Sequence, residues 1–263
     1  MSTLKIPTMA EAFASGQAPD ILFWVGCSGS FDDRAKKITK ALVKILNACD
    51  VNFAVLGTEE SCTGDPAKRA GNEFTFQMQA MMNIQVLDGY EVKKIVTACP
   101  HCFNTLKNEY PELGGKYEVI HHTQLIQDLI NTGKLTLKGG GVYKGKKITF
   151  HDPCYLGRAN DVYEAPRELI EKLDAELVEM KRCKTTGLCC GAGGAQMFKE
   201  AEHGNKEINV ERTEDALEVA PNVIATGCPF CNTMMTDGVK HFNKEGDIEV
   251  LDVAELIANA AEL

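Results

Sequence analysis

Thr97-Ala-Cys-Pro-His-Cys102 returns 129 residues later as Thr226-Gly-Cys-Pro-Phe-Cys231. Upstream of the first copy lie Cys27 and Cys62, and 127 residues beyond each of them lie Cys154 and Cys189. The flanking sequence repeats as well. Asp20-Ile-Leu-Phe-Trp-Val-Gly-Cys27 shares its pattern with Lys147-Ile-Thr-Phe-His-Asp-Pro-Cys154, and Tyr117-Glu-Val-Ile-His-His-Thr-Gln-Leu-Ile126 with Ile248-Glu-Val-Leu-Asp-Val-Ala-Glu-Leu-Ile257. Solenoid repeats are far shorter than this, so the period marks a duplicated domain. A chain that orders its thiols in the same way twice, each set closed by Cys-Pro-x-Cys, builds two metal or cluster sites.

The segments between the cysteines set the expected fold. Ile21 to Val25 is an apolar run of strand length that leads into Cys27. Asp32 or Asp33 is placed to cap a helix whose apolar face carries Ile38, Ala41, Leu42, Ile45 and Leu46. A strand over residues 51–56, a helix over 66–82 with Pro66 in its first turn, a strand over 94–98 and a helix from His122 complete the first half. The second half repeats the scheme: a strand reaches Cys154, a helix spans about 163–173, and a long polar helix follows the Gly-rich loop and runs to about residue 220. A further strand over 222–225 reaches Cys228. Alternating strands and helices predict an α/β fold: two pseudo-symmetric domains, each with a small, mostly parallel sheet flanked by helices. The expected boundaries are an arm at residues 1–19, a first cysteine-rich domain at 20–135 and a second at 142–263. The Gly-rich linker Lys138-Gly-Gly-Gly141 joins them. Cys27, Cys99, Cys154 and Cys228 each fall just past a predicted strand, where sites of parallel sheets form.

Composition narrows the function. With 263 residues the chain is long enough for two domains, each with its own core. A net charge of −9 argues against a nucleic-acid partner. No apolar run approaches the roughly 18 residues of a membrane helix, and no secretory pattern opens the chain, so a cytoplasmic location is expected. In that compartment eleven cysteines point to metal or redox chemistry rather than disulfides.

Thiolates are the soft ligands that zinc, copper(I) and iron–sulfur clusters prefer. The first set offers Cys27, Cys62, Cys99 and Cys102; the second offers Cys154, Cys189, Cys190, Cys228 and Cys231. Five thiolates exceed the four of tetrahedral zinc, and neighbours such as Cys189 and Cys190 address two irons more naturally than one ion. Gly191, Gly193 and Gly194 permit close backbone approach, with N–H groups free for cluster sulfur. In the first half Ser61 is read as standing where the paired cysteine would be, and the Gly-Ala-Gly-Gly run is missing. The four remaining thiolates suffice for zinc or a cubane cluster.

These residues resemble the CCG, or cysteine-rich, domain family: Cys, about 35 residues, Cys-Cys-Gly, about 35 residues, Cys-Pro-x-Cys. Two copies in one chain resemble the duplicated cysteine-rich subunit of heterodisulfide reductase. The segments at residues 23–33 and 97–110 resemble the C-terminal part of electron-transfer-flavoprotein:menaquinone oxidoreductases. The resemblance implies a non-cubane 4Fe–4S cluster on Cys154, Cys189, Cys190, Cys228 and Cys231, and a second cluster or zinc in the first domain. It also implies an iron–sulfur oxidoreductase subunit, active within a complex, that passes electrons between a flavoprotein or ferredoxin-like partner and a quinone-linked or thiol/disulfide acceptor. A membrane quinone-reactive partner would place the chain at the inner face of the membrane. The alternatives are disulfide reduction at the second cluster and a zinc-stabilised scaffold without redox activity. No nucleotide or flavin motif is present: Gly191-Ala-Gly-Gly194 lacks the Rossmann spacing and there is no Walker A sequence.

The remaining candidates have plainer roles. Cys49 is expected to be a buried helix-end thiol and Cys183 an ordinary one. His101 is read as packing or hydrogen-bonding to sulfur, and His121-His122 as a helix start. His151 and Asp152 either contact the centre or support the fold. Met78, Met81 and Met82 are assigned to the core.

Overall fold

The computed structural model describes residues 4–138, 141–200 and 203–263. The chain runs through α1 (Met9–Ala14), β1 (Ile21–Trp24), α2 (Gly26–Phe31), α3 (Ala35–Ala48), β2 (Phe53–Ala54), α4 (Asp65–Arg69), α5 (Glu73–Gly89), β3 (Lys94–Thr97), α6 (Pro100–Asn104), β4 (Glu118–His121) and α7 (His122–Asn131). The second half follows with β5 (Lys147–Phe150), α8 (Glu164–Glu171), β6 (Glu176–Leu177), α9 (Ile208–Glu218), β7 (Val223–Thr226), α10 (Pro229–His241), β8 (Glu249–Asp252) and α11 (Val253–Ala260). Four strands form each sheet, in the orders β2-β1-β3-β4 and β6-β5-β7-β8, and every pairing is parallel. The second sheet is the topological copy of the first.

All four residues of β1 are buried, as are those of β7, which is what a parallel strand covered by helices on both faces requires. Alternate residues serve different layers. Ile21 and Phe23 join a cluster that contains Leu42 and Ile45 of α3, Ile126 of α7, Leu169 of α8 and Ile257 of α11, and that continues to Ile148 and Phe150 of β5. Leu22 and Trp24 face the other way, onto Phe76, Ala80, Ile84 and Leu87 of α5. The largest core is therefore shared: helices from both halves lie between the two sheets, where composition predicted a separate core for each. The Arg34 guanidinium spans the junction and donates to both carboxylate oxygens of Glu255, at 2.9 and 2.7 Å.

Several local readings change. Part of the predicted arm is helical: Thr8 caps α1 in a reciprocal box with Glu11, and Met9 is buried. The predicted 66–82 helix is two helices. Gly71 adopts a left-handed conformation and Asn72 restarts the chain by accepting the Thr75 N–H. The long polar helix after the Gly-rich loop begins only at Ile208. Met78, Met81 and Met82 are 50%, 62% and 59% exposed, so they lie outside the core. α5 buries Phe76, Ala80, Asn83, Ile84 and Leu87, a one-face stripe, and the methionines stand off it. Residues 1–3 of the arm, 139–140 of the linker and 201–202 of the polar segment lie outside the described residues.

Candidate metal centres

The carboxyl ends of the central strands deliver the thiols. β3 ends at Thr97; Cys99 caps α6 with Pro100 at its first position, and Cys102 lies one turn on. β7 ends at Thr226, and Cys228, Pro229 and Cys231 repeat the arrangement at the start of α10. Proline fits the first helical turn because that N–H has no intrahelical partner. Cys27 and Cys154 follow β1 and β5 in the same way. The loops with Cys62 and with Cys189-Cys190 close over these ends. All eleven cysteines are free thiols.

The two thiol sets are neighbours. Cys99 of the first set and Cys228 of the second meet across the junction of the halves. Phe230, between the second pair of cysteines, lines the cavity that contains Cys27, Cys62, Cys99 and Cys102. His101, between the first pair, packs on Tyr155 and Phe230 at centroid distances of 4.7 and 5.4 Å.

Within each set the thiols share protons. Cys62 is lowered to about 7, chiefly because Cys27 donates to it, and Cys27 is raised for the reciprocal reason. Cys99 is held low by Cys102 and then by Cys228. Cys189 is held far below the usual thiol range by Cys154 and Cys190, while Cys190 is pushed up to about 12. Cys102, Cys154, Cys228 and Cys231 are all raised. Nine thiols packed this closely and this deeply ionise together only beside added cationic charge, so the donor set fits a metal centre.

The backbone around the two sets is also duplicated. Gly191 N–H donates to the Cys189 sulfur at 3.3 Å, and Gly64 N–H donates to the Cys62 sulfur at 3.4 Å. Both glycines are left-handed, at φ +91° and +88°. Cys62-Thr63-Gly64 is thus the counterpart of Cys189-Cys190-Gly191. Thr63, not Ser61, occupies the place of the paired cysteine, and its hydroxyl lies 3.9 Å from the Cys102 sulfur. Ser61 turns away, and its hydroxyl donates to the Asn83 side-chain oxygen at 2.7 Å. The missing-glycine reading is corrected in part: Gly64 is present, whereas nothing matches Gly193 and Gly194, which lie in the loop after it. Gly193 sits beside the His101 ring.

Polar side chains fix these loops. Glu60 accepts from the Val25 and Gly26 N–H groups at 2.9 and 2.6 Å, and burial raises it to about 7. His101 bonds to Asp65 at 2.9 Å rather than to a sulfur. Burial pulls the imidazolium of His101 down, but Asp65 and Cys99 outweigh it and its pKa is raised. His121 caps α7, as the helix-start reading requires, and does more: its Nε2 is 3.1 Å from the Gly227 carbonyl, and His122 reaches Asp252 at 2.8 Å. The end of β4 is thereby tied to the second half beside Cys228. Asp152 accepts from Arg167 at 2.8 and 2.9 Å and from Lys184 N–H at 2.7 Å, a structural role. His151 is different. Its Nδ1 accepts from Arg212 at 2.9 Å, while its Nε2 is buried without a partner among the described residues, and one of its ring nitrogens lies within 4.8 Å of the Cys190 and Cys231 sulfurs. Burial, then Arg212, lowers it to about 3. Cys49 and Cys183 stand apart from both sets, each raised chiefly by burial.

Two parallel sheets, each ending in a thiol set closed by Cys-Pro-x-Cys, define a duplicated cysteine-rich protein. The chain belongs to the CCG cysteine-rich domain family, which it matches twice, at residues 21–107 and 148–236. It is 48% identical over 257 residues to the probable iron-sulfur-binding oxidoreductase FadF of Bacillus subtilis, covering 97% of this chain and 36% of that protein. It is 44% identical over 253 residues to the EtfAB:quinone oxidoreductase of Syntrophomonas wolfei, covering 94% and 35%. A subunit of the dihydromethanophenazine:CoB–CoM heterodisulfide reductase of Methanosarcina barkeri is 35% identical over 255 residues, covering 93% and 59%. The chain spans about a third of the length of the first two relatives. Among the described residues no helix is long and apolar enough to cross a membrane.

Proposed function

We propose that this chain is the paired-centre unit of an iron–sulfur oxidoreductase, which passes electrons between a flavoprotein or ferredoxin-like partner and a quinone-linked or thiol/disulfide acceptor. The observation that carries it is the meeting of Cys99 and Cys228, which puts two thiol sets side by side. Cys154, Cys189, Cys190, Cys228 and Cys231 would hold a 4Fe–4S cluster of non-cubane type. Cys27, Cys62, Cys99 and Cys102 would hold a second cluster or zinc. Such clusters supply one-electron redox chemistry. The protein's part is to hold the thiols in ionised form, to exclude water with Phe230 and Tyr155, and to present backbone N–H groups such as those of Gly64 and Gly191 to sulfur. The relatives' names, an iron-sulfur-binding oxidoreductase and a quinone oxidoreductase among them, support the same reading.

Disulfide reduction at the second centre is the alternative, favoured by the fifth thiol, Cys190. Anaerobic reconstitution followed by iron and sulfide analysis tests both. The protein should be brown and hold iron and acid-labile sulfide, and Cys190→Ser should abolish the unusual part of its spectrum. A colourless protein with zinc in both sets and no sulfide would sink both readings. Reduction of a disulfide by the isolated chain, with a chemical reductant and no partner, would decide for the alternative.

A further inference from the structure

A ring nitrogen of His151 and the sulfurs of Cys190 and Cys231 lie within 4.8 Å of one another, and all three residues are buried. Such a trio has the composition of a metal triad. One contact argues against it. Arg212 Nε–H donates to His151 Nδ1 at 2.9 Å. A guanidinium has only donors and keeps its charge. The Nδ1 lone pair is therefore committed to Arg212, and the neutral ring carries its proton on Nε2. That nitrogen has no lone pair to give a metal, yet it is buried without a hydrogen-bond partner.

The first half repeats the arrangement with another residue. Trp24 stands 127 residues before His151, and the strands that lead to the two residues, β1 and β5, correspond. Its side chain is fully buried in the cluster that includes Cys99 and Cys102, and its indole Nε1–H is likewise without a partner. Indole nitrogen donates and never ligates. A buried donor left unpaired costs roughly 1–3 kcal/mol. Two of them at pseudo-equivalent places, one in a residue grouped with Cys190 and Cys231 and one in the core cluster that includes Cys99 and Cys102, imply an acceptor supplied by what those sets hold.

We infer that His151 Nε2–H and Trp24 Nε1–H are hydrogen-bond donors to sulfur at the second and first centres, with Arg212 a positioning residue that fixes the His151 tautomer. Arg212 is itself held by the Arg182 carbonyl at 2.6 Å and by Asp215 at 3.1 Å. An N–H aimed at sulfur stabilises the extra negative charge of the reduced state and raises the reduction potential. The effect on potential rests on the iron–sulfur reading above; the tautomer does not.

Two measurements test this. In the metal-free full chain, nitrogen-15 NMR should show His151 as the Nε2–H tautomer, and Arg212→Met should release it to a mixture. A Nδ1–H tautomer in the unaltered protein, or no change in Arg212→Met, would overturn the assignment whether or not any cluster is bound. In the reconstituted chain, His151→Phe should keep its iron and sulfide while the second centre shifts about tenfold towards oxidised against a fixed mediator, about 59 mV for one electron. His151→Gln, which returns an N–H to the same place, should restore most of that shift, and Trp24→Phe should move the first centre alone. Loss of iron in both His151 variants would make His151 a ligand and overturn the proposal, as would an unmoved potential. Absence of iron and sulfide from the unaltered protein would instead sink the iron–sulfur reading and leave the tautomer result to decide the donor.

Discussion

Thr63 stands in the first half where Cys190 stands in the second. Each follows a thiol, precedes a left-handed glycine whose N–H bonds back to that thiol, and reaches towards the second cysteine of its Cys-Pro-x-Cys. At this place the two sets differ by a hydroxyl against a thiol. Thr63→Cys should give the first set five thiols and convert the spectrum of the first centre towards that of the second. Ser61→Cys should leave it unchanged, because Ser61 faces Asn83. Electron paramagnetic resonance of both reconstituted variants decides; the opposite result would restore Ser61 as the missing position.

Metal removal should loosen the sheet ends. Each set gathers thiols from loops far apart in sequence, so binding is coupled to local folding. On chelation, amide exchange should quicken most around Cys27, Cys99, Cys154 and Cys228, while β1 and β7 themselves stay protected. Equal protection with and without metal would count against this.

The sequence revealed the duplication, the parallel sheets and both thiol sets because these rest on local signals: apolar strand runs, capped helices and Cys-Pro-x-Cys at strand ends. Three features escaped it. The Cys99–Cys228 contact depends on how the halves pack, and α3, α7, α8 and α11 settle that only in three dimensions. The Thr63 equivalence was hidden because threonine and cysteine look unlike until Gly64 and Gly191 are seen to share a conformation, although the 127-residue offset already paired them. α5 was misread because it is apolar nearly all round, from Phe74 to Leu87, so composition could not say which face is buried.

The two faces of α5 can be told apart by stability. Met81 is 62% exposed and Leu87 fully buried. Met81→Ala should change unfolding free energy by less than about 0.5 kcal/mol, whereas Leu87→Ala should cost about 2–5 kcal/mol. Denaturant titration of both variants separates them; similar losses would put Met81 back in a core.

The shared core predicts that the halves unfold together. Ile45 of α3 is fully buried in the cluster that reaches Phe150 and Ile257 of the other half. Ile45→Ala should cost about 2–5 kcal/mol and lower both halves alike. Trp24 fluorescence reports the first half, and hydrogen exchange of β7 reports the second. Two transitions at different denaturant concentrations would show that each half has an independent core after all.

Acid should destabilise the metal-free protein, and the direction follows from the buried histidines. Burial, and then His122, holds His121 well below the ordinary imidazole range; burial and Arg212 hold His151 at about 3. Both stay neutral in the native state, while the unfolded chain takes up their protons below about pH 6.5. The native state thus binds fewer protons, so stability is full above that pH and is lost as the pH falls towards 3. For His151, at about 3, the loss is about 2 kcal/mol by pH 5; His121 acts in the same direction. His101, whose imidazolium Asp65 and Cys99 favour against burial, works in the opposite sense, and so does Glu60. Raised to about 7, it contributes stability below its unfolded value near 4.5 that disappears as pH rises through 7, so it offsets part of the histidine effect between pH 4.5 and 6.5. Urea unfolding of the metal-free chain at pH 5 and pH 6.5 should show the net loss, and His151→Gln should reduce the difference by about 1.5 kcal/mol. The same difference in both proteins would mean that His151 already carries a second proton in the native state.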